Sequence, residues 1–233
     1  MARQHHERYY FDDGNVIFLA ENTLFSVHRY FLQRDSPIFQ AMFSRPSSSG
    51  EGKSDDNPIV LEGTKSADLS CFLSCLYPIN YGHGDLTTYE EWAAALELAV
   101  KWEFDRIRDF IVQRIKDTAT LVEQIVTARR LNMQQWCWDV CAKLCERAQP
   151  LTLEEGQRLG LEDTVRISEV REKRRARPKV ERSIVTGYYD GWQDPEKLHT
   201  ISDASDDVKY YVKETLQLPE LPFTSPEPDY YIL

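Results

Sequence analysis

Apolar positions along this chain change their spacing several times, and each change marks an element. Residues 15–20, Asn-Val-Ile-Phe-Leu-Ala, are a short continuous apolar run, the pattern of a strand covered on both faces. Glu21-Asn22 falls where a two-residue turn belongs, and Thr23 to Val27 form the return strand. Tyr9-Tyr10-Phe11, ahead of Asp-Asp-Gly, adds a third short strand. From Arg29 the period lengthens. Tyr30, Phe31 and Leu32 open a short helix that Arg34-Asp35-Ser36-Pro37 interrupts. Ser36 is placed as an N-cap with Pro37 at the first helical position, where no donor is lost. Ile38, Phe39, Met42 and Phe43 then share one face of a second short helix.

Residues 45–58 are rich in Ser, Gly and Asp and read as a mobile loop, and residues 59–63, Ile-Val-Leu-Glu-Gly, as a strand. Leu69, Phe72, Leu73, Leu76 and Tyr77 form an amphipathic stripe ended by Pro78. Trp92, Leu96, Ala99 and Val100 face inward on the next helix, and Ile107, Phe110, Ile111 and Ile115 on the one after it. Glu103-Phe104-Asp105 leaves room only for a tight corner between them. Residues 120–170 continue as helices, with Thr152 and Glu155 spaced as a capping box. The fold class is therefore α+β: a small sheet of three or four strands with a helical layer over residues 9–117, then an all-helical extension over 118–175. A largely irregular tail fills 176–233.

Composition narrows the function classes. The 233 residues fit one domain with extensions or two small domains, and 42% hydrophobic content supports a core. No stretch approaches the ~20 apolar residues of a membrane span. The start lacks the apolar core of a signal peptide, and five cysteines without secretory context read as reduced thiols. An intracellular protein of the cytoplasm or nucleus follows. The net charge of −10 argues against general nucleic-acid binding, and it is unevenly placed. From residue 183 onward ten acids face three lysines, whereas residues 171–182 hold seven basic residues and two acids.

Residues 14–43, with strand, hairpin, His28, Ser36-Pro37 and Met42-Phe43 in sequence, resemble the opening of a BTB/POZ domain. Asp68-Leu69, Phe72-Leu73 and Leu76-Tyr77 resemble its central helix, and residues 96–115 its closing helix pair. The wording is closest to compact fungal members. The resemblance implies a protein-binding module that dimerises, recruits regulators or bridges substrates to a cullin-type ubiquitin ligase. It also implies a structural role for His28. Only 13 residues precede Gly14, fewer than the helix and strand that build the usual dimer. The place of the hydrophobic-x-Glu element of cullin adaptors is filled by polar residues 44–57. Asn15 stands where an aspartate is usual.

Candidate chemistry is sparse. His28 has no neighbouring nucleophile, and the chain has no nucleophile-elbow motif, so catalysis is not expected. Cys137, Cys141 and Cys145 repeat every four residues; a zinc site would need further ligands, and Trp136, Val140 and Leu144 beside them favour an apolar core face. Cys71 and Cys75 fall off the stripe of their helix, either under a second cover or exposed. Neither metal nor cofactor is expected. The basic run 170–182, with Arg171, Lys173, Arg174, Arg175 and Arg177, reads as a solvated helix end, with nuclear import or phosphate contact as the functional alternative. Tyrosine pairs at 188–189, 210–211 and 230–231 lie in the acidic tail, which reads either as disordered or as a docking segment. The favoured function is an interaction scaffold with Phe31, Phe39, Met42 and Phe43 as contact surface. A nucleic-acid-associated regulator using 170–182 is the rival, and an enzyme comes last.

Overall fold

The computed structural model describes residues 3–45, 50–81 and 84–176. It divides into two compact units, the first ending at Thr120 and the second beginning at Leu121.

In the first unit, β1 (Gln4–Tyr10), β2 (Val16–Ala20), β3 (Thr23–Val27) and β4 (Ile59–Val60) form one mixed sheet in the order β1-β3-β2-β4. The β2–β3 hairpin pairs Val16 with Val27 and Ala20 with Thr23. Its turn places Glu21 at φ 53°, and the Glu21 carboxylate accepts from the Ser66 backbone N–H at 3.0 Å and its hydroxyl at 2.9 Å. A turn residue thereby holds the start of the helix at Ser66. Both hairpin strands are almost wholly buried, as the unbroken apolar run requires.

β1 starts five residues before the expected Tyr9 and runs parallel to β3, with a register shift between His5 and Tyr10. Its alternating polar residues hide it in the sequence: Gln4, His5 and Glu7 are exposed on an edge, where charge discourages pairing with other chains. β4 is shorter than the expected 59–63.

Of the segment 45–58, expected to be mobile, residues 46–49 lie outside the described residues, and 50–58 are tied down instead. Ile17 N–H donates to Gly52 O at 2.8 Å, and Gly52 N–H donates to Asn57 O at 2.7 Å. The Asp55 carboxylate accepts from the Tyr10 hydroxyl at 2.7 Å and lies 2.6 Å from His5 Nε2. Gly52 has φ 77°, and a Cβ there would stand 2.9 Å from the Ile59 side chain, so only glycine fits.

Among the described residues, helices α1 (Arg29–Asp35), α2 (Pro37–Ser44), α3 (Ser66–Leu76), α4 (Tyr89–Lys101) and α5 (Asp105–Thr118) complete this unit. Thr88 and Glu91 make a capping box at the start of α4. The corner between α4 and α5 turns through Glu103 at φ 56° and buries Trp102 and Phe104 on either side. These two rings meet Phe72 at centroid distances of 5.2 and 4.9 Å, and Phe39 at 5.4 and 5.9 Å. That aromatic cluster is the centre of the core, and Phe39 adds an edge contact to Phe18 of β2.

The second unit contains α6 (Leu121–Arg130), α7 (Gln134–Glu146), α8 (Leu153–Leu159) and α9 (Leu161–Ala176). Val122, Ile125, Val140, Leu144, Ile167 and Val170 are buried together with Cys137, Cys141 and Cys145. Thr152 and Glu155 form the expected capping box, and Arg147 grips Glu155 through both guanidinium nitrogens at 2.6 and 2.7 Å. The Arg147 guanidinium, with the Thr152 N–H and against some burial, holds the Glu155 carboxyl down at about 2.

Candidate protein-interaction surface

The four side chains expected to form a contact surface divide on burial. Phe39 is 1% exposed and belongs to the core, so the expectation that it contributes to the surface is corrected: its ring is held among Trp102, Phe104 and Phe18. Met42 is exposed and Phe43 half-buried. Both line a cavity of about 310 Å³ with Arg29, Lys53 and Ile59, where the Arg29 guanidinium lies 4.3 Å from the Phe43 ring centroid. Phe31 is half-buried and lines a different and larger recess.

That recess is built from α1, the end of α3 and the start of α5. Residues around its cavity of about 650 Å³ include Phe31, Arg34, Tyr77, Ile79, Tyr81 and Ile107. A neighbouring cavity of about 310 Å³ shares Arg34, Tyr81 and Ile107 and adds Trp92 and Phe110. Ile79 is 68% exposed and Tyr81 86% exposed. A proline ends α3 just before them, so neither side chain can turn back onto the helix stripe. Phe110 and Ile107, expected to face inward on α5, are exposed and half-buried respectively, because they form the rim of this recess.

Hydrogen bonds and ring contacts frame the recess. His28 opens α1; its backbone N–H donates to the Tyr77 hydroxyl at 3.0 Å, and its Nδ1 lies 3.2 Å from the same oxygen. Asp13 Oδ1 lies 3.3 Å from His28 Nε2. The Phe31 ring stands edge-on to Tyr77 at 5.4 Å. Burial, tempered by the bond from His28, raises the Tyr77 hydroxyl above its ordinary value and keeps it protonated. His28 is thus a clamp between α1 and the end of α3.

On the far side, Asp85 accepts from the Asn80 N–H at 2.8 Å, from the Ile79 N–H at 3.0 Å and from Arg8 Nη2 at 2.5 Å. Arg8 also donates to Tyr77 O at 2.8 Å. Burial of Asp85 works against its charge, but Arg8 and the two amides outweigh it and hold the carboxyl below its usual range. Gly84, at φ 79°, closes the turn where a Cβ would stand 2.8 Å from Trp92. Arg34 completes the wall, stacked 5.4 Å from the Phe31 centroid and paired with Asp35.

The cysteines of α3 and α7 differ in burial. Cys71 and Cys75 are half-buried, and burial pushes their thiols up to about 11 and about 12, away from thiolate chemistry. Cys75 lines the recess. Cys137, Cys141 and Cys145 are buried among apolar side chains; the hydrogen bond from Cys141 lowers Cys137, and burial pushes Cys145 up to about 12. Among the described residues no group of three or more His, Cys, Asp or Glu is placed to hold a metal ion.

The basic run is not the uniformly solvated helix end its charges suggest. Arg171 is buried, donating from Nη1 to Leu144 O at 2.5 Å and from Nη2 to Gln149 O at 2.6 Å, so it caps the end of α7. Lys173 pairs with Glu169, and Arg175 donates to Ala148 O at 3.2 Å. Arg177 and the tyrosine pairs of the tail lie outside the described residues. Sequence reasoning missed Ile79, Tyr81 and Asp85, whose one signal was the position directly after the proline that stops α3.

The BTB/POZ domain family model matches residues 10–119. The first unit carries a BTB/POZ domain. The match ends one residue before the first unit does, and the mixed four-stranded sheet with its helices is the α+β arrangement the sequence pattern required. BTB/POZ domains are protein–protein interaction modules. No curated protein matches the chain. Among the described residues no helix is long and apolar enough to cross a membrane.

Proposed function

We propose that the chain is an interaction scaffold whose BTB/POZ domain seats a partner polypeptide in the recess between α1, the end of α3 and α5. One observation carries this reading: Ile79 and Tyr81 are exposed beside half-buried Phe31 and Ile107 around one cavity. Exposed apolar and aromatic groups gathered in a pocket are the anchors that dominate association energies. Arg34 and Arg106 supply a polar rim that orients the partner.

Affinity purification with mass spectrometry tests this, using the intact chain beside an Ile79→Asp/Tyr81→Ser variant. Both side chains are exposed, so the variant keeps its fold. Loss of two anchors weakens a partner by about 30-fold or more, equivalent to roughly 2 kcal/mol. Partners retained at undiminished levels by the variant sink the proposal. A cullin within the lost set makes the chain a ligase adaptor. A second copy of the chain within that set makes the recess a self-association surface.

A further inference from the structure

The smaller pocket at the end of α2 joins an apolar lining to cations that have no acid to pair with. Its cavity of about 310 Å³ is lined by Met42, Phe43 and Ile59 together with Arg29, Arg45 and Lys53, and one acid, Glu51, lies among them. Arg8 and Arg34 elsewhere in the unit are matched by Asp85 and Asp35. Among the described residues no carboxylate is paired with Arg29, Arg45 or Lys53. The sign of the pocket is local. Residues 1–120 hold eighteen acids against twelve lysines and arginines, so the unit as a whole does not attract anions.

Arg29 is already held in place. Its backbone N–H donates to Asn15 Oδ1 at 2.7 Å, its Nη2 donates to Phe43 O at 3.1 Å, and its guanidinium lies 4.3 Å from the Phe43 ring centroid. Such a group loses little freedom when a ligand arrives, and its remaining N–H donors suit a carboxylate. Beside Lys53, Gly52 is fixed to β2 through the 2.8 Å bond from Ile17 N–H. The cavity is at the lower end of the roughly 300–1,000 Å³ of ligand pockets, which suits a large side chain rather than a whole helix. A nucleic-acid strand needs aromatic faces for its bases to stack on. Phe43, the aromatic ring of this pocket, already carries Arg29 over its face. An apolar side chain flanked by carboxylates answers both the lining and the charge.

We infer that this pocket binds an acidic linear segment of a partner protein. One apolar side chain of the segment sits against Met42, Phe43 and Ile59, and its flanking carboxylates pair with Arg29, Arg45 and Lys53. Burial of the apolar group gives the affinity, and the three cations select acidic segments over neutral ones. The site shares no lining residue with the recess between α1, α3 and α5, so it stands independently of that surface.

Fluorescence anisotropy on the full chain tests it with two labelled peptides. One has a phenylalanine between three glutamates on each side, and the other has alanine in place of the phenylalanine. The phenylalanine peptide is expected to bind saturably below about 1 mM and about fivefold tighter than the alanine peptide. Its binding weakens about fivefold when salt rises from about 50 to about 300 mM. Asn15→Asp, which keeps an acceptor for the Arg29 N–H but adds a negative charge, weakens it about tenfold, as does Arg45→Glu. Both positions are exposed, so both variants fold. Lys116→Glu makes the same change of charge as Arg45→Glu at an exposed position on α5 outside the pocket lining, and leaves binding unchanged. Absence of saturable binding overturns the inference, as does undiminished binding by Asn15→Asp and Arg45→Glu. Equal affinity for the two peptides would reduce the pocket to unspecific ion attraction. Displacement by a single-stranded oligonucleotide at lower concentration than by unlabelled peptide would assign the cations to a phosphate backbone instead.

Discussion

The Ser36 hydroxyl donates to the carbonyl oxygen of Trp102 at 2.6 Å while accepting the Phe39 N–H at 3.1 Å. One small side chain therefore starts α2 and fastens it to the end of α4, 66 residues away. Ser36→Ala removes the cap and the long-range bond together. The expected cost is about 2 kcal/mol, read by denaturant unfolding, with Pro37→Ala costing much less. A cost near that of an ordinary surface substitution would show that the Trp102 bond adds nothing.

Phe39 and Met42 are three residues apart and chemically alike, yet only Phe39 is enclosed. Phe39→Ala opens a cavity among Trp102, Phe104 and Phe18 and is expected to destabilise by about 4 kcal/mol. Met42→Ala stays within about 0.5 kcal/mol. Thermal unfolding of the two variants separates them, and equal effects would contradict the placement of Phe39.

Arg171 and Arg174 lie in one basic run but in different surroundings. Arg171→Ala leaves the buried carbonyl of Leu144 and the part-buried carbonyl of Gln149 without their charged donor, and about 3 kcal/mol of stability is lost. Arg174 is exposed, and Arg174→Ala leaves stability unchanged to within about 0.5 kcal/mol. Unfolding followed by tryptophan fluorescence decides, and equal stability in both variants would return Arg171 to a solvated role.

Acid titration reports on Glu155. Its carboxyl is held at about 2 when folded, against an ordinary value of 4.5. Because the folded value is the lower one, the stabilisation is fully present above pH 4.5 and is lost as pH falls toward about 2. Glu155→Gln, which keeps an acceptor for the Thr152 N–H, is expected to flatten stability over that window relative to the unaltered chain. Parallel pH profiles for the two proteins would show that the Arg147–Glu155 pair is not what titrates.

Local pattern was enough for much of this molecule. The unbroken run 15–20 and the turn at Glu21-Asn22 specify a hairpin buried on both faces, since only a covered strand tolerates apolar side chains on each side. Ser36-Pro37 and Thr152 with Glu155 specify helix starts because capping is satisfied within a few residues. The four-residue repeat of Cys137, Cys141 and Cys145 likewise places them on a core-facing side.

The tertiary structure decided what depends on residues far apart in sequence. Gln4 to Arg8 of β1 read as polar because this is an edge strand, and only pairing with β3 extends the strand back to Gln4. The segment 50–58 looks mobile by composition, but Asp55 finds Tyr10 and His5 across 45 and 50 positions. Arg171 looks like one more solvated charge until α7 presents the Leu144 carbonyl to it. Ile79 and Tyr81 carry no periodic signal at all. Their exposure follows from Pro78 stopping α3 while Asp85 pins the turn, which leaves two apolar side chains facing the recess. By itself the sequence determined most of the elements and the α+β fold class, because burial and capping are written in short-range spacing. Which apolar groups remain on the surface is a property of the finished packing.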